Sequence, residues 1–131
     1  MLTLHVVTPL GQALQQEVDE VTLPGLIGEF GVLPGHVPLL AATKAGVLRY
    51  RAGGERGRLA IGPGFAQVDG KGAVVALVQK AVAPEKVDRE AAEKLLQDAE
   101  QRLQKEAGAA ESVAEADRDW AQAQLEATKA G

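Results

Sequence analysis

The chain has 131 residues, enough for one ordinary domain or for a compact domain with a small appendage, which excludes a long multidomain assembly. Hydrophobic residues make up 46% of the chain and charged residues 24%, as in globular proteins, but aromatic residues reach only 3%, so we expect an aliphatic core. The net charge of −4 offers no electrostatic footprint for nucleic acid, and the absence of cysteine excludes disulfides, thiolate zinc sites and thiol catalysis. Without a basic leader or an apolar run of about 18 residues, the sequence predicts a soluble cytoplasmic chain.

The composition changes near Pro84. Residues 1–84 contain all 6 prolines and 13 of the 15 glycines and carry a net charge of +1. Residues 85–131 have seven basic and twelve acidic side chains, a net charge of −5. Because glycine and proline mark turns and interrupt helices, we predict two units: a β-sandwich domain over 1–84 and a helical hairpin over 85–131.

Short runs rich in Val, Leu and Ile, each bounded by Gly, Pro or Asp, predict an antiparallel β-sandwich in the first unit. The predicted strands cover residues 2–8, 13–18, 20–23, 29–33, 39–43, 46–51, 58–61, 65–68 and 73–79. The pairs Gly53-Gly54 and Asp69-Gly70 predict tight hairpins. The continuously apolar residues 73–78 predict a strand in the middle of the sandwich rather than at an edge.

Beyond Pro84 the apolar residues recur at helical spacing. The first predicted helix covers 88–107, with Asp88 capping its first turn and Gly108 ending it. Its predicted inward stripe consists of Ala92, Leu95, Leu96, Ala99 and Leu103.

A second helix is predicted over 113–128, with Ser112 and Glu115 as a capping box. Its predicted inward stripe consists of Val113, Ala116, Trp120, Ala123 and Ala127. The short loop between the helices predicts an antiparallel two-helix hairpin, so the whole chain is predicted to have an α+β fold. Because alanine buries little apolar area, we expect the hairpin to depend on docking against the sandwich, in an equilibrium that can be reversed.

Residues with catalytic or ligand chemistry are few. His5 and His36 have no partner at metal-ligand spacing. The sole serine, Ser112, is better used as a helix cap than as a nucleophile, and the carboxylates within 17–20 alternate between strand faces. We therefore predict no catalytic residue, no metal site and no cofactor.

Four arginines flank one predicted hairpin, at positions 49, 51, 56 and 58. Tyr50 is the one aromatic residue among them, which disfavours stacking with RNA. A solvated strand face and a docking patch for an acidic partner both explain the cluster, and we favour the solvated face.

The segment 23–40 is the most informative part of the sequence. Four glycines and three prolines surround apolar residues there, which fixes successive tight turns and holds apolar side chains on stiff loops. Such a segment suits a docking surface, although a pair of ordinary hairpins explains the pattern equally well.

This segment resembles the LPG…GE.GVLPGH.PLL signature of the epsilon subunit of F-type ATP synthase. Residues 46–49 resemble the family's next strand, and residues 64–68, GFAQV, resemble its GGF.EV strand. The family joins a β-sandwich to a helical hairpin, so the resemblance covers essentially the whole chain. It implies a non-catalytic rotor subunit that binds the gamma subunit and the c-ring, peripheral on the cytoplasmic face of the inner membrane. By position, Glu29, Phe30 and His36 are candidates for contact with the ring or gamma, and a polar turn residue is the alternative for His36.

The resemblance also bears on regulation. In this family the hairpin can extend along gamma and inhibit ATP hydrolysis by the alpha/beta head, and some members bind ATP through a motif like I/L-D-x-x-R-A. Here Asp88 and Ala92 match that motif, but Ala91 stands where the arginine is expected, which argues against ATP binding. The acidity of the hairpin argues for weak inhibition at most, since the catalytic loop it would approach is also acidic. A small β-sandwich ligand-binding or adaptor module with a helical tail is the alternative function.

Overall fold

The computed structural model describes residues 1–105 and 108–129 as ten strands followed by two helices. The strands are β1 (Leu2–Thr8), β2 (Gly11–Val18), β3 (Glu20–Gly25), β4 (Gly28–Val32), β5 (Leu39–Thr43), β6 (Gly46–Ala52), β7 (Glu55–Ile61), β8 (Gly64–Val68), β9 (Ala73–Val78) and β10 (Ala81–Val82). A 3-10 turn, Pro84–Lys86, leads to α1 (Arg89–Lys105) and α2 (Ala109–Ala127). Neither helix, within these described ranges, is long and apolar enough to span a membrane.

The strands form one continuous sheet in the order β10-β7-β6-β3-β5-β8-β9-β1-β2, with β4 paired to β3. The sheet encloses an aliphatic core, which confirms the predicted sandwich. Nearly all neighbours are antiparallel, but β1 and β9 are parallel, a pairing of two distant segments that no local pattern predicts. As predicted, β9 lies between two neighbours, β8 and β1, rather than at an edge.

The core is aliphatic, as the composition predicts. Along β1, buried and half-buried residues alternate, since successive side chains of a strand point to opposite faces. Phe30 and Tyr50 are only partly buried, at the margin of this core. The largest fully buried side chains are Leu2, Leu4, Leu23, Leu48 and Ile61.

Several predicted strand ends need correction. β7 begins at Glu55 rather than 58, because the Gly53-Gly54 turn is tight enough for Ala52 and Glu55 to pair directly. Similarly, β2 begins at Gly11 rather than 13, because it pairs with Thr8 at once after the turn. The two-residue β10, which pairs with the end of β7, is too short to leave a sequence pattern and was not predicted.

The first helix agrees with the prediction. Ala92 and Ala99 are buried, and the three leucines of the stripe are half-buried. The carboxylate of Asp88 accepts a hydrogen bond from the Ala91 N–H at 3.0 Å, the predicted capping contact. The predicted end of this helix, at 106–107, lies outside the described residues.

The predicted start of the second helix is wrong. Gly108, with a φ of 70°, directly precedes α2, which begins at Ala109. Because glycine adopts this positive φ without steric cost, the helix begins directly after Gly108 and before Ser112. The Ser112 hydroxyl therefore lies within the first turn and donates to the Gly108 carbonyl at 3.5 Å instead of forming a capping box.

The predicted inward stripe of α2 is also partly wrong. Trp120, Ala123 and Ala127 do pack inward, but Val113 is 56% exposed and Ala116 is exposed too. The helix contacts both α1 and the sandwich, so its buried surface is wider than one stripe. Two further alanines, at positions 114 and 121, are fully buried. They have the same seven-residue spacing as the buried alanines of α1.

Candidate functional site

The β3–β4 loop holds two large apolar side chains in solvent. At its tip, Leu26 and Ile27 are 65% and 102% exposed. The Leu26 N–H donates to the Ala42 carbonyl at 3.0 Å, which ties the loop to β5. Gly28, with a φ of 142°, provides the backbone conformation that the reversal needs. The loop is therefore fixed, and its apolar tip is a candidate contact surface.

Glu29 and Phe30, two predicted contact residues, point to opposite faces of β4. The Glu29 side chain is 59% exposed, and its Oε2 lies 3.6 Å from Nη1 of Arg49 on β6. Phe30 is half-buried against the core, close to Gly25, where a Cβ atom would stand 2.9 Å from the ring. Of the two, Glu29 presents more of its side chain to a partner, and both contact roles stay predictions.

His36 lies in the turn after β4, where it satisfies backbone groups. Its N–H donates to the Leu33 carbonyl at 3.1 Å, and its ring Nδ1 is 2.6 Å from the Val37 carbonyl. This geometry is that of the polar turn residue given above as the alternative. The ring is half-buried between two exposed apolar residues, Leu33 and Val37, so the turn also offers apolar surface.

An apolar surface runs across the outer side of the sheet. In register, Ala42 of β5 pairs with Phe65 of β8, Phe65 with Leu77 of β9, and Leu77 with Val7 of β1. Phe65 is 56% exposed and Leu77 50% exposed. In the adjacent row, Leu40 and Val75 lie on either side of the exposed Gln67, and His5 follows Val75. The surface called the apolar outer face below consists of Val7, Leu40, Ala42, Phe65, Val75 and Leu77.

The apolar outer face continues into a groove of about 680 Å³ at the β3–β4 loop, where Leu26 lies beside Phe65 and Leu77. Outer faces of sandwiches are normally polar, so the uninterrupted apolar row of Ala42, Phe65, Leu77 and Val7 marks an interaction surface. Sequence reasoning missed this surface. The sequence does carry a signal for it, because residues 73–78 are apolar at every position. The side chains on the outer face of this strand therefore need a partner that covers them.

The four arginines lie together on the other end of the sheet. Arg49 pairs in register with Arg58, and Arg51 with Arg56, so all four share one outer surface of β6 and β7. Thr22 and Glu20 of β3 continue the two rows. These six residues, called the arginine face below, line a groove of about 220 Å³ together with Tyr50 and Gly57.

Internal contacts occupy most of this cluster. Arg51 lies 3.3 Å from Asp19 and 3.4 Å from Glu20, so these two carboxylates serve a surface ion-pair network. Asp19 also accepts the Gly53 N–H at 2.9 Å, which fixes the hairpin turn. The arginine cluster is thus partly engaged in ion pairs, whereas the sequence favoured a solvated face.

The helical hairpin docks on the sandwich through α2. Ala123 and Ala127 pack on Val47 and Ala60, with Trp120 beside them. Three cations of the sandwich surround this small apolar contact, each facing the carboxyl-terminal half of α2. Arg58 Nε donates to the Ala127 carbonyl, Arg49 Nη2 lies 3.7 Å from Glu126 Oε1, and Lys80 Nζ lies 5.5 Å from the centre of the Trp120 ring. These contacts suit the negative end of the helix dipole.

The residues named above for catalytic or ligand chemistry lie apart from one another. Within 1–105 and 108–129, no three His, Asp or Glu side chains lie close enough to hold a metal ion. His5 is on β1 and His36 in a distant turn of the segment 23–40, and the Asp88 carboxylate is used as a helix cap. The structure presents three surfaces for contact with other molecules: the tip of the β3–β4 loop, the apolar outer face and the arginine face.

The comparisons with known proteins agree on one family. The family model of the ATP synthase delta/epsilon chain beta-sandwich domain matches residues 1–84. The ATP synthase epsilon chain of Geotalea uraniireducens is 41% identical over 104 residues, covering 79% of this chain and 75% of the relative. The epsilon chain of Nitratidesulfovibrio vulgaris is 44% identical over 103 residues, covering 78% and 75%.

Solved structures match over nearly the whole chain, hairpin included. A chain of the Euglena gracilis mitochondrial ATP synthase, in a structure of OSCP, F1 and the c-ring, has a TM-score of 0.84 at 30% identity. That match covers 96% of this chain and 79% of the Euglena chain. A chain of the Tetrahymena thermophila central stalk and c-ring shares the fold, with a TM-score of 0.70 at 14% identity and coverage of 98% and 96%.

Proposed function

The chain belongs to the ATP synthase delta/epsilon family, and from this premise we propose how its surfaces serve the synthase. It is a rotor subunit of the central stalk of F-type ATP synthase, and its partners are the gamma subunit and the c-ring. It is part of the membrane-associated F1 complex. Our proposal is that it catalyses no step itself and that it works on the cytoplasmic face of the inner membrane.

The apolar outer face is the proposed contact with gamma. A permanent partner within a rotor requires a large, dry and well-packed interface, and obligate interfaces are more apolar than transient ones. The exposure of Phe65, Leu77 and Leu40, at 56%, 50% and 69%, is the observation that carries this assignment. An aliphatic sandwich core behind this face gives it the stiffness that a part under torque needs.

The β3–β4 loop is the proposed contact with the c-ring. Leu26 and Ile27 at its tip are exposed, and Glu29 follows them on β4. We propose contact roles for Glu29, for the exposed part of Phe30, and for His36 in the neighbouring turn. This arrangement gives the sandwich one surface for each partner.

We propose that the two units divide the work, with residues 1–84 as the coupler and residues 85–131 as an arm that inhibits ATP hydrolysis weakly. The docked hairpin supports this proposal, because its contacts hold α2 on β6 and β7 of the sandwich. Ala91 leaves the first helix without the arginine of the nucleotide motif, and Asp88 is used as a cap. We therefore propose that the hairpin does not bind ATP through this motif.

The gamma contact is tested by binding with purified gamma subunit. Phe65→Glu places a charge in the centre of the apolar outer face and is expected to weaken gamma binding at least about tenfold. Val113→Glu is the matched control, because Val113 is also 56% exposed but lies on the hairpin. Equal binding by the two variants would refute the assignment of the apolar outer face to gamma.

The weak arm is tested by deletion of residues 88–131 from the subunit in a reconstituted catalytic head. We expect ATP hydrolysis to change little, since the docking contacts hold α2 on the sandwich. An increase of severalfold on deletion would contradict weak inhibition. Tight ATP binding by the unmodified chain that is lost on deletion of residues 88–131 would contradict the proposal about the nucleotide motif.

A further inference from the structure

The arginine face brings like charges unusually close together. Cross-strand neighbours in a sheet have Cβ atoms only about 5 Å apart, and like charges directly opposite each other are destabilising. Here two such pairs, Arg49 with Arg58 and Arg51 with Arg56, stand side by side. The groove between them is lined by four guanidinium groups and a single carboxylate, Glu20. Such an arrangement needs anionic partners.

The four arginines differ in the anionic partners that the structure provides for them. Arg51 has two carboxylates of its own unit, Asp19 and Glu20. Arg58 depends on the hairpin, through the Ala127 carbonyl, and Arg49 is shared between Glu29 and the hairpin residue Glu126.

Arg56 stands apart from the other three. It is exposed, and it forms no ion pair with any carboxylate in residues 1–105 and 108–129. Arg49 and Arg58 thus line the groove and also contact the docked hairpin, whereas Arg56 only lines the groove.

We propose that the arginine face binds a small anion with two or more phosphate groups, and that this anion competes with the hairpin for Arg49 and Arg58. The planar guanidinium group presents paired N–H donors that match phosphate oxygens, so cross-strand arginines can hold one anion from two sides. Thr22, in register with Arg49, adds a hydroxyl donor to the groove. Binding of the anion therefore weakens the docking of α2.

The groove recognises the phosphate groups and no attached base. Tyr50 is the one aromatic residue in the lining, and its ring is fixed over Gly57, where a Cβ atom would stand 2.2 Å from Cζ. A base would thus find no free aromatic surface on which to stack. Inorganic pyrophosphate is the appropriate probe.

The chain carries its own reporter of docking. Trp120 is the single tryptophan, and it packs at the contact between α2 and the sandwich, with Lys80 over its ring. Release of the hairpin exposes this ring to water and shifts its fluorescence to longer wavelength. The full-length chain is titrated with pyrophosphate and, in a separate series, with sodium chloride. The two series are compared on the same scale of ionic strength. We expect pyrophosphate to release the hairpin at an ionic strength about threefold lower than sodium chloride does.

Arg56→Gln separates the anion site from the docking contact. Arg56 lines the groove and forms no hydrogen bond or ion pair with the described residues of α2, so this variant should dock normally and require about threefold more pyrophosphate for release. Lys71→Gln, which removes a charge from the exposed β8–β9 turn, should behave like the unmodified chain. Equal responses to pyrophosphate and sodium chloride would overturn the proposal, as would an unchanged response of Arg56→Gln. Because neither gamma nor the c-ring is present, these outcomes leave the rotor function untouched.

Discussion

A single carboxylate placed under α2 should release the hairpin from the sandwich. Ala123 is only 4% exposed and packs on Val47 and Ala60. The substitution Ala123→Glu adds both bulk and an unpaired charge at this point. The sandwich core is a separate cluster, so it should stay folded.

The free energy of docking is small enough for this change to exceed it. Val47 and the three alanines of the contact contribute about six methyl-sized groups, worth about 5 kcal/mol at ~0.8 kcal/mol each, to which the half-buried Trp120 and Ala45 add part of their area. The hydrogen bond from Arg58 to the Ala127 carbonyl adds about 1 kcal/mol. Burial of an unpaired carboxylate costs several kcal/mol, and overpacking adds about 1–3 kcal/mol. The docked form of Ala123→Glu is therefore expected to be a minority.

Trp120 fluorescence and amide hydrogen exchange measure this effect. We expect the emission of Ala123→Glu to shift to longer wavelength and the amides of α2 to exchange faster, while those of β1 and β9 keep their protection. Ala116→Glu is the control, because it adds the same charge to an exposed position of the same helix. If Ala123→Glu kept the emission and the exchange rates of Ala116→Glu, the docking contact described above would be refuted.

Three further changes test other parts of the fold. Gly64→Ala places a Cβ atom 2.0 Å from the Leu77 carbonyl oxygen, so we expect a loss of about 3 kcal/mol in the free energy of unfolding by denaturant. Hydrogen bonds from the backbone N–H groups of Ala73 and Lys71 lower the pKa of Asp69, so its contribution to stability is present at neutral pH. That contribution is lost as the pH falls below about 4, through the lowered pKa. The melting temperature of Asp69→Asn should therefore fall less at acid pH than that of the unmodified chain. In the hairpin, Arg102 lies 2.6 Å from Asp117 of the other helix, so Arg102→Gln should lower the temperature at which the helical circular dichroism is lost.

Each of these changes has a control of the same chemistry. Gly31→Ala has no atom within 4 Å of the new Cβ atom and should leave the free energy of unfolding nearly unchanged. Glu55→Gln removes an exposed carboxylate from the β6–β7 hairpin. Its melting temperature should fall at acid pH as that of the unmodified chain does. Arg89→Gln removes an exposed charge from the start of α1 and should not affect the melting of the hairpin. A control that behaved like its test variant would contradict the contact assigned to that variant.

Local patterns in the sequence predict most of the elements. β1 and β5 have the predicted bounds, 2–8 and 39–43, because glycine, proline or a turn limits each run. The stripe of α1 is right because this helix buries a single face. The stripe of α2 is partly wrong because that helix packs on two surfaces, which no single periodicity describes.

The contacts that define the interaction surfaces are distant in sequence, and this is why they could not be predicted. Arg58 and Ala127, which join the sandwich to the hairpin, are 69 residues apart. The apolar outer face depends on the register of four strands, including the parallel pair β1 and β9. Residues 73–78 are apolar at every position, and that pattern alone gives burial on both sides without identifying the partner that covers the outer one.

If the apolar outer face binds gamma, as proposed, its integrity is required for this chain to couple the gamma subunit to the c-ring. The most direct measurement is proton-driven ATP synthesis in vesicles whose synthase lacks this subunit, after addition of purified variants. We expect the unmodified chain and Val113→Glu to restore synthesis, and Phe65→Glu to restore little of it at equal concentration. Full restoration by Phe65→Glu, or none by the unmodified chain, would contradict the account.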